Sequence, residues 1–234
     1  PTDNFRTTDT EIAGRVNEMA QEFYPDGAEV NHVLAQVYKN TIAKNGKEKK
    51  AKIKYHSDKT KDMPRNALMA FCTFYQEYTA TDGFTGDMKH LKHSKETHFD
   101  YTFKATSVLT KLRFKLKSVV ENPDNYFTKE FDIVLYPNSV FLMSLYTNRL
   151  YTHEIVPSEM SVDKIPTRLG YVIRCSTTDA VFKNNQTYIR EGEKLTPLVP
   201  PTKEDMDDLR AKYYEENVGI SLVSYDGIYY SMNG

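Results

Sequence analysis

Short apolar runs separated by polar turn residues fill the middle of the chain, and several of them alternate between apolar and charged positions. In the segment 111–117, Leu112, Phe114 and Leu116 alternate with lysine and arginine, which is the period of a half-buried β-strand. The other runs predicted to form strands are HVLAQVY, KIKY, ALMAFCTFY, EFDIVLY, SVFLMSLY, RLGYVIRCS and TYIRE. Because no helical segments separate these runs, they predict a sandwich or jelly roll rather than a parallel sheet.

Apolar residues at helical spacing predict one helix near each end of the chain. The first is expected over 9–23, beginning with a capping box between Thr8 and Glu11. Its apolar face, expected to pack on the core, consists of Ile12, Val16, Met19 and Phe23. The second is expected over 203–217, after a cap at Thr202. The expected fold class is therefore mainly β with flanking helices (α+β), as a double-stranded β-helix (jelly roll).

Length and composition favour one soluble domain over 1–234, with its core at about 30–190. The formal net charge of -1 excludes a chain that is basic as a whole. No stretch approaches the roughly 18 apolar residues of a membrane-spanning helix, and no signal-like segment opens the sequence. We therefore expect an intracellular monomer, cytoplasmic or nuclear, without membrane contact. Cys72 and Cys175 lie in apolar runs and are expected to be buried, unreactive thiols.

His56 and Asp58 form an HxD pair at the end of the predicted strand KIKY. Alternate side chains of a strand point the same way, so this pair can present two ligands to one metal ion. His153 follows the apolar run SVFLMSLY and is the candidate third ligand, since an adjacent strand can bring it to the same point. Two histidines and one carboxylate leave three positions open, which suits non-haem Fe(II) with a chelating oxo-acid and O₂. An HxD alone is a weak signal, because a solvated histidine beside an acid is the commoner arrangement.

Two arginines in RLGYVIR favour a dicarboxylate partner. Arg168 and Arg174 are six residues apart, so on a strand both face the same side. Planar guanidinium groups pair with carboxylates through two parallel hydrogen bonds. Two inward charges on an apolar strand would be costly without an anion, although a strand with both arginines on a solvent face is the alternative.

Three segments together resemble one enzyme family. The run HSDKTKDMP, then IVLYPNSVFLMSLYTNRLYTHEI, then RLGYVIR is similar to the AlkB family of Fe(II)- and 2-oxoglutarate-dependent dioxygenases, in the same order and with the same R-x5-R spacing. Upstream, Gln36-Val37-Tyr38 resembles the N-x-Y strand of that family, with glutamine in place of asparagine. The resemblance covers about residues 30–175.

The resemblance implies a set of site residues and a reaction. The implied iron ligands are His56, Asp58 and His153. The implied 2-oxoglutarate contacts are Arg168 and Tyr38 at the distal carboxylate, and Arg174 and Gln36 near the metal-chelating end. The implied reaction consumes 2-oxoglutarate and O₂, releases succinate and CO₂, and hydroxylates a C–H bond; a hydroxylated N-methyl group is lost as formaldehyde.

A second HxD, His98-Phe99-Asp100, competes with the first and lies closer to His153 in sequence. The resemblance favours His56, because Pro64 and the strand ALMAFCTF follow it and the N-x-Y-like strand precedes it. We expect the run KHLKHSKETH, with His90 and His93, to be a solvated basic loop rather than a zinc site.

Basic segments on both sides of the first HxD favour a nucleic-acid substrate, DNA or RNA. Segment 41–63 contains eight lysines, and segment 86–118 contains seven lysines and Arg113, so both can follow a phosphate backbone. The family usually oxidises a base flipped out of its strand. Candidate stacking aromatics are Tyr75, Tyr78, Phe84, Phe99 and Tyr101. Solvated lysine loops and aromatic residues in the core are the alternative.

One position departs from the family members that repair alkylated bases. They have an acidic residue four positions after the first iron histidine, whereas this chain has Thr60, with Asp62 as a possible substitute. The segments between Tyr38 and His56 and over 76–110 also depart from the compact family pattern. An oxygenase acting on a protein side chain or small molecule, and a non-catalytic jelly-roll binding module, therefore stay open as alternatives.

Overall fold

The computed structural model describes residues 3–76, 91–226 and 228. The α-helices in this part of the chain are α1 (Thr7–Phe23), α2 (Leu145–Leu150) and α3 (Lys203–Val218). The strands are β1 (His32–Tyr38), β2 (Thr41–Ile42), β3 (Glu48–Lys49), β4 (Ile53–His56), β5 (Leu68–Tyr75), β6 (Lys92–His93), β7 (Tyr101–Phe103), β8 (Thr106–Ser107), β9 (Lys111–Leu116), β10 (Glu130–Val134), β11 (Ser139–Ser144), β12 (Tyr151–Val156), β13 (Arg168–Arg174), β14 (Asp179–Lys183), β15 (Gln186–Glu191) and β16 (Lys194–Pro197). Among the helices of the described ranges, none has the length and apolar character needed to cross a membrane.

Eight of these strands form two four-stranded antiparallel sheets. Sheet I has the order β1-β13-β5-β11, and sheet II has the order β10-β9-β12-β4. The remaining strands form a β2-β3 hairpin and two three-stranded sheets, β6-β7-β8 and β14-β15-β16. The expectation of a mainly β, antiparallel fold with flanking helices is confirmed.

The hydrophobic core lies between sheets I and II. Phe114 on sheet II packs against Phe141 on sheet I, with ring centroids 5.7 Å apart. Phe114 and Leu112 are fully buried, as the alternation in segment 111–117 predicts. Each such buried aromatic contributes on the order of 3 kcal/mol or more to stability, because its loss would leave a cavity.

The alternation ends at Lys117, which is buried rather than exposed. Its Nζ atom donates hydrogen bonds to the carbonyl oxygens of Glu216 (2.6 Å) and Gly219 (2.9 Å), at the C-terminal end of α3. The last carbonyls of a helix have no partner within the helix and attract cations. Lys117 is therefore not part of a solvent-exposed basic face.

The face of α1 that contacts the core agrees with the predicted one at Ile12 and Val16 and differs from it at Met19 and Phe23. Met19 and Phe23 are 39% and 70% exposed, so they do not pack inside. The buried residues of α1 are Ala13, Val16 and Ala20. Ala13 and Ala20, rather than Met19 and Phe23, complete the buried face beside Val16.

The start of α1 also differs from the prediction. The backbone N–H of Arg6 donates to Oδ2 of Asp9 at 2.9 Å, and the helix begins at Thr7. The predicted capping box between Thr8 and Glu11 is therefore wrong by about one half-turn. An acidic side chain in the first turn still satisfies an orphan backbone donor, which is the physical requirement at a helix N-terminus.

The run SVFLMSLY does not form a strand throughout. Strand β11 ends at Ser144, whose Oγ accepts a hydrogen bond from the N–H of Thr147 at 3.2 Å and so begins α2.

At α3 the predicted cap is confirmed, since Thr202 and Asp205 exchange hydrogen bonds of 2.8 and 3.2 Å. Both cysteines are buried free thiols, as expected.

Candidate metal centre

His56 and His153 lie side by side on adjacent strands of sheet II. They are direct partners in the β4-β12 pairing, and their ring centroids are 4.5 Å apart. Asp58 lies just beyond the end of β4, and its Oδ2 is 3.6 Å from Nε2 of His153. One donor atom from each of the three residues lies within 4.8 Å of the others. The structure therefore brings the three predicted ligands together, in a group that can hold a metal ion.

The histidine rings are oriented by their surroundings. Nδ1 of His56 is 2.9 Å from the carbonyl oxygen of Lys54, and because a carbonyl only accepts, the proton must be on Nδ1. Nε2 of His56 therefore keeps a lone pair for a metal ion. The ring of His153 is buried against Phe71 and Phe114, with centroid distances of 5.6 and 5.7 Å.

The two carboxylate oxygens of Asp58 have different surroundings. Oδ1 accepts a hydrogen bond from Nη2 of Arg174. Oδ2 is buried and has no hydrogen-bond partner in the described part of the chain, and it is the oxygen closer to His153. Burial is the largest single influence and would by itself raise the pKa of Asp58, but Arg174, His153, His56 and Lys59 together outweigh it and lower the pKa below its ordinary value. Asp58 is thus an ionised ligand with one oxygen available to a cation.

The backbone of Asp58 is fixed by Asn148 of α2. Oδ1 of Asn148 accepts from the Asp58 N–H at 2.8 Å, and its Nδ2 donates to the Asp58 carbonyl at 2.9 Å. Asn148 is almost fully buried and lies five residues before His153. One side chain therefore links the segments of two metal-ligand candidates, and the sequence analysis did not identify it.

Burial lowers the pKa of His153 from 6.5 to about 4, although the charge of Asp58 opposes this change. A buried neutral imidazole is ready to bind a metal without first losing a proton at neutral pH.

This pKa predicts acid sensitivity of the metal-free protein. As the pH falls from 6.5 to about 4, the unfolded chain binds a proton at residue 153 that the folded chain cannot bind. The free energy of unfolding should therefore fall over this window, on the order of 3 kcal/mol, since each pKa unit corresponds to about 1.4 kcal/mol. Urea unfolding in chelator across the window measures the loss. In His153→Gln, which cannot titrate there, this component should be absent; an equal loss in both proteins would contradict the prediction.

A cavity of about 180 Å³ opens between the two sheets at the three ligands. Its walls include all seven site residues expected from the sequence: Gln36, Tyr38, His56, Asp58, His153, Arg168 and Arg174. This volume suits a small molecule rather than a drug-sized ligand, for which pockets begin at roughly 300 Å³. A larger open cavity of about 490 Å³ lies near Arg65, Tyr146 and Arg149, but no histidine, cysteine, aspartate or glutamate is among the residues that line it.

Arg168 is a buried cation on the wall of this cavity. It is 4% exposed, and its Cζ atom lies 3.8 Å above the ring centroid of Tyr38. Its Nε and Nη2 atoms have no hydrogen-bond partner, and no carboxylate of the described residues lies within 4 Å. Burial lowers the pKa of Arg168, while Tyr38 and Tyr75 oppose this change. The hydroxyl of Tyr38 donates to Oε1 of Gln36 at 2.8 Å. A buried guanidinium with unpaired donors is the arrangement expected where an anion binds.

Gly170 and Thr73 are cavity residues that the sequence analysis missed. A Cβ atom on Gly170 would lie 2.9 Å from Nη1 of Arg168 and 3.1 Å from Cε2 of Tyr38, so only glycine leaves the guanidinium its space. Thr73 pairs with Gly170 across sheet I, and its buried Oγ1 has no partner among the described atoms. The glycine inside RLGYVIR was a possible signal, since glycine within a strand often marks close approach of another group.

In the described part of the chain, the second HxD does not form a metal-ligand group with His153. His98 is exposed, its nearest ring contact is His93 at 6.5 Å, and Asp100 accepts a hydrogen bond from Ser107 at 2.7 Å. Over the ranges that the structure describes, His56, Asp58 and His153 form the one group of three such donors. His90, the remaining histidine of that basic run, lies outside the described residues.

Part of the positive charge of the two basic segments is neutralised by ion pairs within the protein. Arg113 forms a two-pronged ion pair with Asp132 at 2.7 and 2.9 Å, Lys111 lies 3.6 Å from the same carboxylate, and Lys61 pairs with Asp62 at 2.5 Å. Five exposed lysines of the segment 41–63 form no ion pair with any described residue: Lys44, Lys47, Lys49, Lys52 and Lys54.

The aromatic candidates have different surroundings. Tyr75 is structural, because its hydroxyl donates to the Leu135 carbonyl at 2.8 Å and accepts from the Thr110 N–H at 3.2 Å. Phe99 is exposed, and Tyr101 packs on His93. The candidates Tyr78 and Phe84 lie outside the described residues.

Comparison with known proteins adds no identity: no protein-family model and no curated protein matches this chain.

Proposed function

We propose that this chain is an Fe(II)- and 2-oxoglutarate-dependent dioxygenase similar to the AlkB family. The main observation in support is that Arg168, a buried cation with unpaired donors, lines the same small cavity as the three metal-ligand candidates. A dicarboxylate in this cavity would neutralise Arg168 at one end. Its oxo-acid end would lie beside Arg174 and the ligand group, where a chelating position is open.

The donor set fits Fe(II). Two imidazoles and one carboxylate on one side of the ion leave positions for a chelating oxo-acid and O₂. When bound, iron would supply the activation of O₂ that couples the conversion of 2-oxoglutarate to succinate and CO₂ with oxidation of a substrate C–H bond. The chain's own residues hold the ligands: Oδ2 of Asp58 is free for the ion, while Oδ1 is kept by Arg174. Phe71 and Phe114 limit the access of water to His153.

The path of the chain supports a double-stranded β-helix. Along the sequence the chain runs from β1 in sheet I to β4 in sheet II, returns to β5 in sheet I, and crosses to β9 and β10 in sheet II. It then alternates again through β11, β12 and β13. Eight strands that cross repeatedly between two facing sheets, with only β9 and β10 consecutive in one sheet, form the pattern of a jelly roll. This pattern is consistent with the resemblance.

Gly170→Ala tests the 2-oxoglutarate contacts without removing any of them. The added methyl group would displace the guanidinium of Arg168 from its place over Tyr38. We expect 2-oxoglutarate affinity to fall roughly ten- to hundredfold, since small displacements in a site have effects of this size. Calorimetric titration with Mn(II) present measures it. Gly14→Ala is the matched control, because nothing lies within 4 Å of its added Cβ. Unchanged affinity in Gly170→Ala would argue against this site.

For the substrate we propose a base in DNA or RNA. The observation in support is the exposed lysine cluster Lys44, Lys47, Lys49, Lys52 and Lys54, which immediately precedes the HxD pair. Such a cluster can contact phosphates near the cavity, with strong salt dependence. Thr60 occupies the position at which the base-repair members of the family have an acidic residue. Its hydroxyl donates a hydrogen bond to Glu216. Asp62, the other acidic candidate nearby, is paired with Lys61.

A second candidate is an oxygenase that hydroxylates a protein side chain or a small molecule. It is favoured by the ion pairs that neutralise Lys111 and Arg113, because these remove charge from the surface that a nucleic acid would need. A non-catalytic binding module is less well supported, because it gives no reason for an unpaired buried Arg168 beside three metal donors.

Succinate release tests the proposal directly. The purified protein with Fe(II) and 2-oxoglutarate is assayed against methylated single-stranded DNA, duplex DNA, RNA and peptides, with His153→Ala as the inactive control. We expect a nucleic acid to stimulate release, with a strong decrease at higher salt. Stimulation by peptides alone would favour the second candidate. Anaerobic addition of Fe(II) and 2-oxoglutarate should also give a visible charge-transfer band, and its absence would favour the binding module.

A further inference from the structure

The last turn of α3 contacts the segment that contains Asp58. Oδ1 of Asn217 accepts from the backbone N–H of Ser57 at 2.8 Å. Oε1 of Glu216 accepts from the backbone N–H of Thr60 at 2.9 Å and from the Thr60 hydroxyl. Two consecutive helix residues, about 160 positions away in sequence, thus hold the chain on both sides of Asp58.

The backbone of this segment is not paired with sheet II, although the Ser57 hydroxyl donates to the Tyr151 carbonyl oxygen at 3.3 Å. Strand β4 ends at His56, so residues 57–60 have no ladder hydrogen bonds from sheet II. Ser57 and Asp58 are nevertheless buried, and buried backbone donors need partners. Those partners are side chains of two helices: Asn148 for Asp58, and Asn217 and Glu216 for its neighbours.

The end of α3 is itself fixed to the β-sandwich. Lys117, directly after β9, donates to the carbonyl oxygens of Glu216 and Gly219. The Lys59 ammonium lies 3.7 Å above the ring of Tyr213, one turn earlier in α3. The apolar residues of α3 pack elsewhere, since Leu209 forms a separate cluster with Tyr225 and Ile228. The contact between α3 and the segment 57–60 is therefore polar and directional.

We infer that the last turn of α3 is a positioning element for the metal centre, with Glu216 and Asn217 as positioning residues for Asp58. The inference rests on the proposed metal site. Hydrogen bonds on both sides of Asp58 limit the directions its carboxylate can take, so Oδ2 stays near the two histidines. Without them Asn148 and Arg174 still hold Asp58, but its neighbours lose their partners and must be ordered on metal binding, which lowers affinity.

Co(II) binding to the whole 234-residue chain tests this inference, with the visible absorption of bound Co(II) reporting coordination geometry. We expect Glu216→Ala to weaken Co(II) binding roughly tenfold or more, the usual range for residues that orient metal ligands, and to alter the absorption spectrum. Glu216→Gln should restore both, because an amide oxygen can accept the same two hydrogen bonds from Thr60. Glu215→Ala is the matched control, as Glu215 is the exposed neighbour in the same helix.

Circular dichroism of each metal-free variant separates positioning from folding. If Glu216→Ala does not fold, Asn217→Ala provides the same test from the other side of Asp58, with the same expected loss. Wild-type Co(II) affinity in folded Glu216→Ala and Asn217→Ala would overturn the inference and leave the proposed function intact. Unfolding of both variants would also overturn it, since α3 would then support the whole fold. Absence of Co(II) binding by the wild-type protein would overturn the proposed function as well.

Discussion

Asp58→Ala is expected to abolish tight binding of a divalent metal ion and, in the metal-free protein, to lower the free energy of unfolding by about 3–5 kcal/mol. Metal binding is lost because Oδ2 is the one carboxylate oxygen in the ligand group. Stability falls because the same substitution leaves Arg174 without its carboxylate partner in a largely buried position. A single substitution thus affects binding and stability for two separate reasons, one for each carboxylate oxygen.

The matched control is Asp100→Ala, which changes the aspartate of the second HxD. Asp100 contacts Ser107 and does not belong to the metal-ligand group, so its loss should leave metal affinity unchanged. Metal titration by calorimetry and urea unfolding in chelator give the two quantities. If Asp100→Ala removed metal binding while Asp58→Ala kept it, the ligand set proposed here would be wrong.

Arg168→Met is expected to weaken 2-oxoglutarate binding at least about thirtyfold, because truncating one member of a buried charged pair costs about 2 kcal/mol or more. In the ligand-free protein the same substitution is not expected to lower stability. Arg168 is buried with unpaired donors, so an apolar side chain of similar length removes a desolvation cost. The free energy of unfolding without ligand should therefore stay the same or rise.

Thermal unfolding with and without 2-oxoglutarate, in the presence of Mn(II), measures both effects in one experiment. The wild-type protein should be stabilised by the ligand, whereas Arg168→Met should not respond to it. Arg190→Met is the matched control, since Arg190 is exposed and pairs with Asp179 at the surface. A variant that is destabilised without ligand yet still responds to 2-oxoglutarate would mean that Arg168 has a structural role only.

The proposed site depends on how the two sheets pack. His56 and His153 lie on sheet II, whereas Arg168, Arg174 and the β1 residues Gln36 and Tyr38 lie on sheet I. The hydrogen bond between Arg174 and Asp58 joins the two groups directly. Substitutions in the core between the sheets, such as at Phe114, should therefore change affinity for the metal and the cosubstrate as well as stability.

Local patterns in the sequence predicted where strands and helices form and which residues are candidate metal ligands. Alternation at Leu112 and Phe114 gave the buried face of β9, and Thr202 gave the start of α3. The HxD spacing indicated the right pair of residues, although Asp58 lies beyond the end of β4 and strand alternation does not place it. The even spacing within R-x5-R predicted that Arg168 and Arg174 share a face, because strand geometry alternates with a period of two. These inferences succeeded because they depend on backbone geometry over a few residues.

Only the tertiary structure decided which segments meet. In sequence His98 lies closer to His153 than His56 does, and only the family resemblance favoured His56; the β4-β12 pairing joins His153 to His56. The burial of Lys117 and the contact of Glu216 with Thr60 involve residues 99 and 156 positions apart, and no local pattern contains them. Such contacts depend on where buried polar groups find partners after the whole core has packed, because an unpaired group in the interior costs more than any local preference contributes.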